Sequence, residues 1–314
     1  MESEDILKAL NIRYVDLRFI LEFPKACELP EEKVSALRGG MGQMLLNQNC
    51  IRDRDCDHCD FENECLVRRM MYARYEEGFR PAFASRGDSN GYLLVCENRE
   101  KHFEAGEQLE FHLILFGKVI VYFTQFLQAF YMLGLAGIGK EHAQYQIVRV
   151  ENEKGKRIVE GTQVDLKQLH VSTIREYAEE RVKQLKAKDR KNMLVFQTPV
   201  SIKYEGNFIK QFSTEALLQS LTRRIYCLDL FEKLDGVEKL LLEDELPEIV
   251  FQKAYPTEIS RYSSTQNEKM KLHGIKGKVR FDQLPDELLL LFAAGEKLHI
   301  GKNTSFGFGK YIIF

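Results

Sequence analysis

One pattern of apolar periodicity occurs twice along this chain, and it constrains the fold more than any single motif. In the first half, residues 11–23 alternate as a strand. A helical repeat follows at 31–48, with Val34, Leu37, Met41, Met44 and Leu45 on one face. Strand-like runs follow at 92–96 and 107–116, the second alternating through Leu109, Phe111, Leu113 and Leu115. An apolar helix at 118–133, closed by Gly134 and Gly137, and a strand at 145–150 complete the half. The second half repeats the order: a strand at 193–204, then a helix at 215–234 behind the candidate N-cap Ser213. A helical stretch at 237–254 extends the crossover. Strands at 256–271 and 275–281 follow, with Gly274 at their turn, then a helix at 285–294 started by Pro285. A short strand at 297–300, a glycine-rich loop and a strand at 310–314 end it. Each half reads β-α-β-β-α-β. The expected class is therefore α+β: tandem ferredoxin-like (RRM-like) domains with a cysteine-rich insertion in the first. The expected boundaries are 1–170, with the insertion at about 49–80, then a charged connector helix in 171–192, then 193–314.

Composition agrees with such a chain and excludes others. Its 314 residues suit two domains. Apolar residues make up 44% and charged residues 29%, which excludes a disordered or collagen-like polymer. The longest apolar run, 288–294, is far short of the ~20 residues a membrane helix needs, and no membrane partner is expected. The acidic start, Met1-Glu-Ser-Glu-Asp, lacks the character of a secretory signal, so the expected compartment is the cytoplasm, where disulfides are rare. A net charge of -2 excludes a uniformly basic coat but leaves room for a local basic face. Residues 181–191 and the group Arg68, Arg69, Arg74 and Arg80 are such local stretches. A solvated helix face would read the same way as 181–191.

The sharpest local signal is 298–311. Gly301, Gly307 and Gly309 flank Lys302, Asn303, Thr304 and Ser305, and Lys310 follows. Glycines let backbone N–H groups approach an anion, and the lysines and hydroxyls add charge and donors, so a phosphate backbone suits this surface. It is neither a P-loop nor a dinucleotide turn, since GxxxxGK[ST] is absent and no helix follows. A glycine-rich hairpin closing a domain would carry the same residues.

These residues, taken with others upstream, resemble a known family. The segment from His299 through Lys310, the strand pair Arg261-Tyr-Ser-Ser-Thr-Gln-Asn-Glu-Lys-Met-Lys-Leu-His-Gly-Ile-Lys-Gly277, and Leu37-Arg-Gly-Gly-Met-Gly-Gln-Met-Leu45 are similar to the CRISPR-associated repeat-processing endoribonucleases of the RAMP superfamily. Leu115-Phe-Gly117 and residues 133–139 fit as well. The resemblance implies a metal-independent endoribonuclease that cuts precursor CRISPR RNA within its repeats. Attack by a ribose 2′-hydroxyl would leave 2′,3′-cyclic phosphate and 5′-hydroxyl ends. It also implies repeat RNA as a partner, with effector-complex subunits as further ones. A catalytically silent member that holds guide RNA as a scaffold is the alternative.

That chemistry needs a base, an acid and cations. Relatives carry a histidine near the first helix; this chain has none before His58. The remaining catalytic candidates are His273 and His299, with Arg38, Lys302 and Tyr262 to hold charge. RNA-binding candidates are Gly301, Lys302, Asn303, Thr304, Ser305, Gly307, Gly309, Lys310 and Lys276. Arg38 could equally cap a carbonyl on a helix surface, and Tyr262 could be packed strand surface. His102, His112, His142 and His170 give no pattern beyond ordinary surface or core use.

Cys50, Cys56, Cys59 and Cys65 form a CxxC knuckle with five residues on each side. Four thiolates can close a tetrahedral structural zinc site; an iron-sulfur cluster uses the same ligands, and free reduced thiols are the third reading. No metal is expected in catalysis. Cys27, Cys96 and Cys227 read as packing residues.

Overall fold

The computed structural model describes residues 3–54, 56–71, 91–188, 192–232, 246–263 and 268–314. After a short helix α1 (Ser3–Ala9), the first sheet is built from β1 (Arg13–Glu22), β2 (Tyr92–Val95), β3 (Gln108–Phe116) and β4 (Gln146–Asn152), in the antiparallel order β2-β3-β1-β4. Helices α2 (Lys33–Asn49) and α3 (Phe123–Ala136) cover one face of it. Strand alternation explains which face: Val15, Leu17, Phe19 and Leu21 of β1 point to the helices and meet Leu37, Met41, Phe126 and Phe130 in one core. Tyr14, Asp16 and Arg18 point the other way.

Helix α4 (Ile174–Ala187), started by a Thr173–Glu176 capping box, connects to the second unit. There β5 (Met193–Phe196), α5 (Thr214–Glu232), β6 (Ile249–Ser263), β7 (Glu268–Phe281), α6 (Asp286–Leu298) and β8 (Tyr311–Ile313) form a sheet of order β6-β7-β5-β8. Numbered within each unit, both sheets run 2-3-1-4 with two helices on one face, the ferredoxin-like arrangement in tandem.

Several local expectations are corrected. Residues 237–254 are not one helix. Beyond the undescribed 233–245, Ile249 opens the 15-residue β6, whose β-branched and aromatic residues suit a strand paired along β7. Gly274 is no turn: it lies inside β7 opposite Thr257, and residues 264–267 between the two strands lie outside the described residues. Glycine is needed there because a Cβ would sit 2.8 Å from the Val200 carbonyl oxygen. Residues 297–300 form no strand, because α6 runs on to Leu298. The strand expected at 193–204 stops at Phe196, three residues before Pro199, whose missing N–H cannot serve a ladder. The cysteine-rich insertion is described only in part, as a 3-10 turn (Cys56–His58) and a helix (Leu66–Met71). Arg74 and Arg80 lie outside the described residues, as do Arg190 and Lys191.

Among the described residues, Gly117–Ala136 is the one helical stretch long and apolar enough to cross a membrane. Its inward residues Phe123, Phe126, Ala129, Phe130 and Leu133 are buried against the first sheet, as in a core helix.

Candidate nucleic-acid interface

The glycine-rich loop, residues 301–310, leaves α6 and returns into β8. Its backbone is stitched to the segment after β5. Lys302 N donates to Ser201 O (2.7 Å), Gly309 N to Pro199 O (2.8 Å), and Lys310 N to Thr198 Oγ1 (2.9 Å). Gly309, at φ +78°, could not carry a side chain, since a Cβ would lie 1.9 Å from the Ile300 carbonyl. On its other side the loop meets α2 of the first unit. The Arg38 guanidinium stands 4.1 Å over the Phe306 ring, Gly307 packs on Val34, and Lys310 Nζ pairs with Glu97. The loop therefore sits at the seam between the two units.

This seating sorts the expected RNA contacts. Thr304, Ser305, Gly307 and Gly309 turn inward and are buried, which corrects their assignment as surface contacts; they shape the loop. Gly301, Lys302, Asn303, Phe306 and Lys310 remain half-exposed. Lys276 is exposed on β7. Arg38 is half-buried, and its Nε has no hydrogen-bond partner among the described residues.

The two histidine candidates part company. His299 is 1% exposed, and its Nδ1 lies 3.2 Å from Phe308 O. The carbonyl can only accept, so Nδ1 carries the proton. Burial, with Lys310 and Arg224 nearby, pushes its pKa down to about 3. His299 borders the cleft between the units, but its neutral ring is almost fully enclosed in this structure, which counts against it as the base. His273 is exposed on β7 with Glu258 Oε2 at 3.6 Å. Bridges Val200↔Ile275 and Ser201↔Lys302 put the 200–201 segment between β7 and the glycine loop. The 200–201 segment thus separates the strand that carries His273 from the backbone of Lys302. Tyr262 pairs with Lys269 near the end of the hairpin; its side chain is outside the described residues.

Sequence reasoning missed two features. Gly301 and Lys302 open onto a pocket also lined by Lys203, Arg223 and Arg224. The Arg-Arg pair inside an amphipathic helix was the available signal. A larger cleft runs between the units, lined by Tyr14, Asp16, His112, Lys297 and Lys310 among others. His112 Nδ1 lies 2.7 Å from Asp16 Oδ1, and Lys297 Nζ lies 2.7 Å from Asp16 Oδ2. Burial alone would raise the Asp16 pKa. The His112 hydrogen bond and the Lys297 charge overcome it and hold the carboxyl far below the usual range. His112 is therefore more than ordinary surface, as nothing in the sequence indicated.

Cys50, Cys56, Cys59 and Cys65 are half-buried free thiols that line one small pocket with Arg54, Glu62 and Arg68. Burial raises the Cys56 thiol pKa; the Arg68 charge works against that shift, and the three other cysteines add to it. Among the described residues no group of three or more His, Cys, Asp or Glu side chains stands in metal-holding geometry.

Comparison with known proteins follows the same division. Residues 194–311 match the family model of the CRISPR-associated endoribonuclease Cas6, and residues 10–173 match the model AF_1859_N, an N-terminal domain. No curated protein matches. Three solved structures share the fold over 96% of this chain. A partial Cas6-RT-Cas1--Cas2 complex has TM-score 0.56 at 12% identity, and the Cas6-RT-Cas1--Cas2 complex has TM-score 0.56 at 12% identity. The Cas6 (TTHB231) product complex has TM-score 0.51 at 13% identity. This chain spans 46% and 29% of the first two chains and 100% of the third. Residues 194–311 are thus similar to the CRISPR-associated endoribonuclease Cas6, and the chain as a whole shares its fold with solved Cas6 structures.

Proposed function

We propose that this protein cuts precursor CRISPR RNA within its repeats, in the cytoplasm, by metal-independent attack of a ribose 2′-hydroxyl. The observation that carries the reading is the glycine loop at the seam of two ferredoxin-like units, with Arg38, Lys302 and Lys310 around it. The O2′–P bond forms as the P–O5′ bond breaks. One proton leaves O2′ and another reaches O5′, giving a 2′,3′-cyclic phosphate and a 5′-hydroxyl. His273 is the base in this reading, with Arg38 and Lys302 stabilising charge on the phosphorane and Lys276 holding the strand. A second reading puts the base at His112; it is favoured by the Asp16 hydrogen bond, which orients the ring and leaves Nε2 as the acceptor. A Cas6 product complex and Cas6-RT-Cas1--Cas2 assemblies with this fold support repeat RNA and other CRISPR proteins as partners. The scaffold alternative keeps one observation in its favour: α2 carries no histidine.

The test mixes purified protein with its host's repeat RNA in excess EDTA and maps the product ends, with a 2′-deoxy nucleotide at the scissile position as control. A cut ending in cyclic phosphate, abolished by the control, is the expected result. Single-turnover rates of His273→Ala and His112→Ala then assign the base. Tight binding without a cut establishes the scaffold instead.

For the cysteine pocket we propose a structural zinc held by Cys50, Cys56, Cys59 and Cys65, supported by four thiols lining one pocket. Four protein ligands leave zinc no open position, so its role is to fold the insertion.

A further inference from the structure

The helix-free face of the second sheet alternates aromatic rings with cations. Strand alternation sorts its residues. Leu194, Phe196, Ile275, Val279 and Ile313 point to the helices and are buried. Phe251, Lys253 and Tyr255 of β6 point the other way, opposite Arg280, Lys278 and Lys276 of β7. The rows of Arg280 and Lys278 continue into Met193 and Val195 of β5. Phe251 is 42% exposed and Tyr255 is 45% exposed, with Lys253, Lys276 and Arg280 exposed beside them.

Charge and ring are interleaved here. Lys278 Nζ lies 5.6 Å and the Arg280 guanidinium 6.0 Å over the Phe251 ring, and Lys253 Nζ lies 5.4 Å over the Tyr255 ring. Among the described residues no ion pair joins Lys253, Lys276, Lys278 or Arg280 to a carboxylate. The paired rows hold no acid either. Glu248 and Asp282 lie beyond the last pair, Ile249 with Phe281. Lysines along an edge strand also deter pairing with another chain, which would account for Lys253. It would not account for two large rings left in solvent between the charges. A second copy of the chain is a poor occupant, since a two-fold contact would set four cations against four. An unpaired nucleic-acid strand answers both features. Its bases offer π faces to the rings, and its phosphates offer anions to the lysines and the arginine.

We propose that this face is a stacking platform for an unpaired segment of the RNA, with Phe251 and Tyr255 each taking a base and Lys253, Lys276, Lys278 and Arg280 tracking the phosphates. The inference rests on the reading of the chain as an RNA-cleaving enzyme and extends its interface beyond the glycine loop. His273, three residues from Lys276, falls on the opposite face of β7 by alternation, so RNA held on the platform flanks the cut. Stacking tolerates any base and phosphate contacts carry no sequence information, so the platform sets affinity rather than choice of repeat.

The test uses the full chain and unpaired RNA that extends beyond the repeat and carries the 2′-deoxy block, so that binding is read without cutting. Circular dichroism confirms the fold of each variant. Phe251→Ser/Tyr255→Ser is expected to bind about fivefold or more weaker for each ring removed, with the salt dependence unchanged. Lys253→Gln/Lys276→Gln is expected to flatten the slope of log K against log salt by about 1.4, at about 0.7 for each lost contact. Unchanged affinity in either folded variant overturns the platform. The chain has no tryptophan, so Tyr255→Trp gives a lone reporter. Its fluorescence is expected to be quenched by the unpaired RNA and not by a duplex of the same sequence. Equal quenching by the duplex, or none with RNA bound, also overturns stacking at this face. Cleavage of unblocked repeat RNA by wild type is run in parallel. Its absence sinks the enzyme reading, whereas cleavage with unchanged affinity in the variants sinks the platform alone.

Discussion

His299 shows why a residue type in a promising place is weak grounds for a role. In the sequence it stands two residues before Gly301, where a base could serve a phosphate. In the fold it terminates α6 at φ +57°, and its ring is enclosed. Whether a side chain ending a helix points into the core or out to solvent depends on the next turn of backbone, and composition does not encode that. The same enclosure has a measurable consequence. The folded pKa is about 3, below the ordinary 6.5, so the folded state binds fewer protons than the unfolded state at intermediate pH. Neutral His299 therefore contributes fully above pH 6.5, and the contribution declines as pH falls toward 3, by about 1.4 kcal/mol per pH unit. His299→Asn keeps a polar side chain that tolerates positive φ and does not titrate. Urea midpoints between pH 7 and about pH 4.5 are expected to fall less steeply for this variant than for wild type. Equal slopes would mean the ring is not held neutral.

At the scale of elements, both sheets were legible where burial on one face imposed a period. Strand alternation in 107–116 and helical spacing in 31–48 put β3 and α2 within two residues of their observed ends. Legibility failed where long-range pairing decides. β6 and β7 support each other over a register from Ile249 to Glu268, and neither alternates enough alone to announce its length. Gly274 reads as a turn locally, yet it is a mid-strand position that admits the 200–201 segment. The interface was legible as a loop, but its partition into inward and outward residues was not, because α2 and the 198–201 segment, distant in sequence, bury one side of it. The cysteine element gives a direct test of the proposed zinc. Metal analysis of protein purified without chelator is expected to give about one zinc per chain. Cys56→Ser/Cys59→Ser is expected to lose the metal and to make the insertion sensitive to protease. Iron with visible absorption would replace zinc by a cluster. Full protein with no metal, and equal protease resistance in the variant, would leave the thiols free.

Across the whole molecule the two units are less separate than their sequence repeat suggests. One core runs from α1 and the outer face of the first sheet, through Ile6, Tyr14, Leu93 and Phe116, into Leu217, Leu221, Ile275 and Phe292 of the second unit. Polar ties run beside it: Arg13 Nε to Glu232 Oε1 (2.7 Å) and Lys297 Nζ to Asp16 Oδ2 (2.7 Å). A second unit cut free would expose the apolar side of this shared core, so the units should lose structure together. Asp16→Asn tests that coupling at a buried charge. The substitution removes the carboxylate that Lys297 and His112 share and leaves the little-exposed Lys297 without its closest anion, a loss of about 3–5 kcal/mol for a broken buried pair. The Asp16 pKa is depressed in the fold, so its contribution is present above the unfolded value of about 3.9 and is lost as pH falls below it; the deficit of the variant should be full at pH 7. Calorimetry is expected to show one transition for wild type and one, at lower temperature, for the variant. Separation into two transitions, with only the first unit destabilised, would show that the units fold on independent cores and that the Asp16–Lys297 pair merely spans a gap between them.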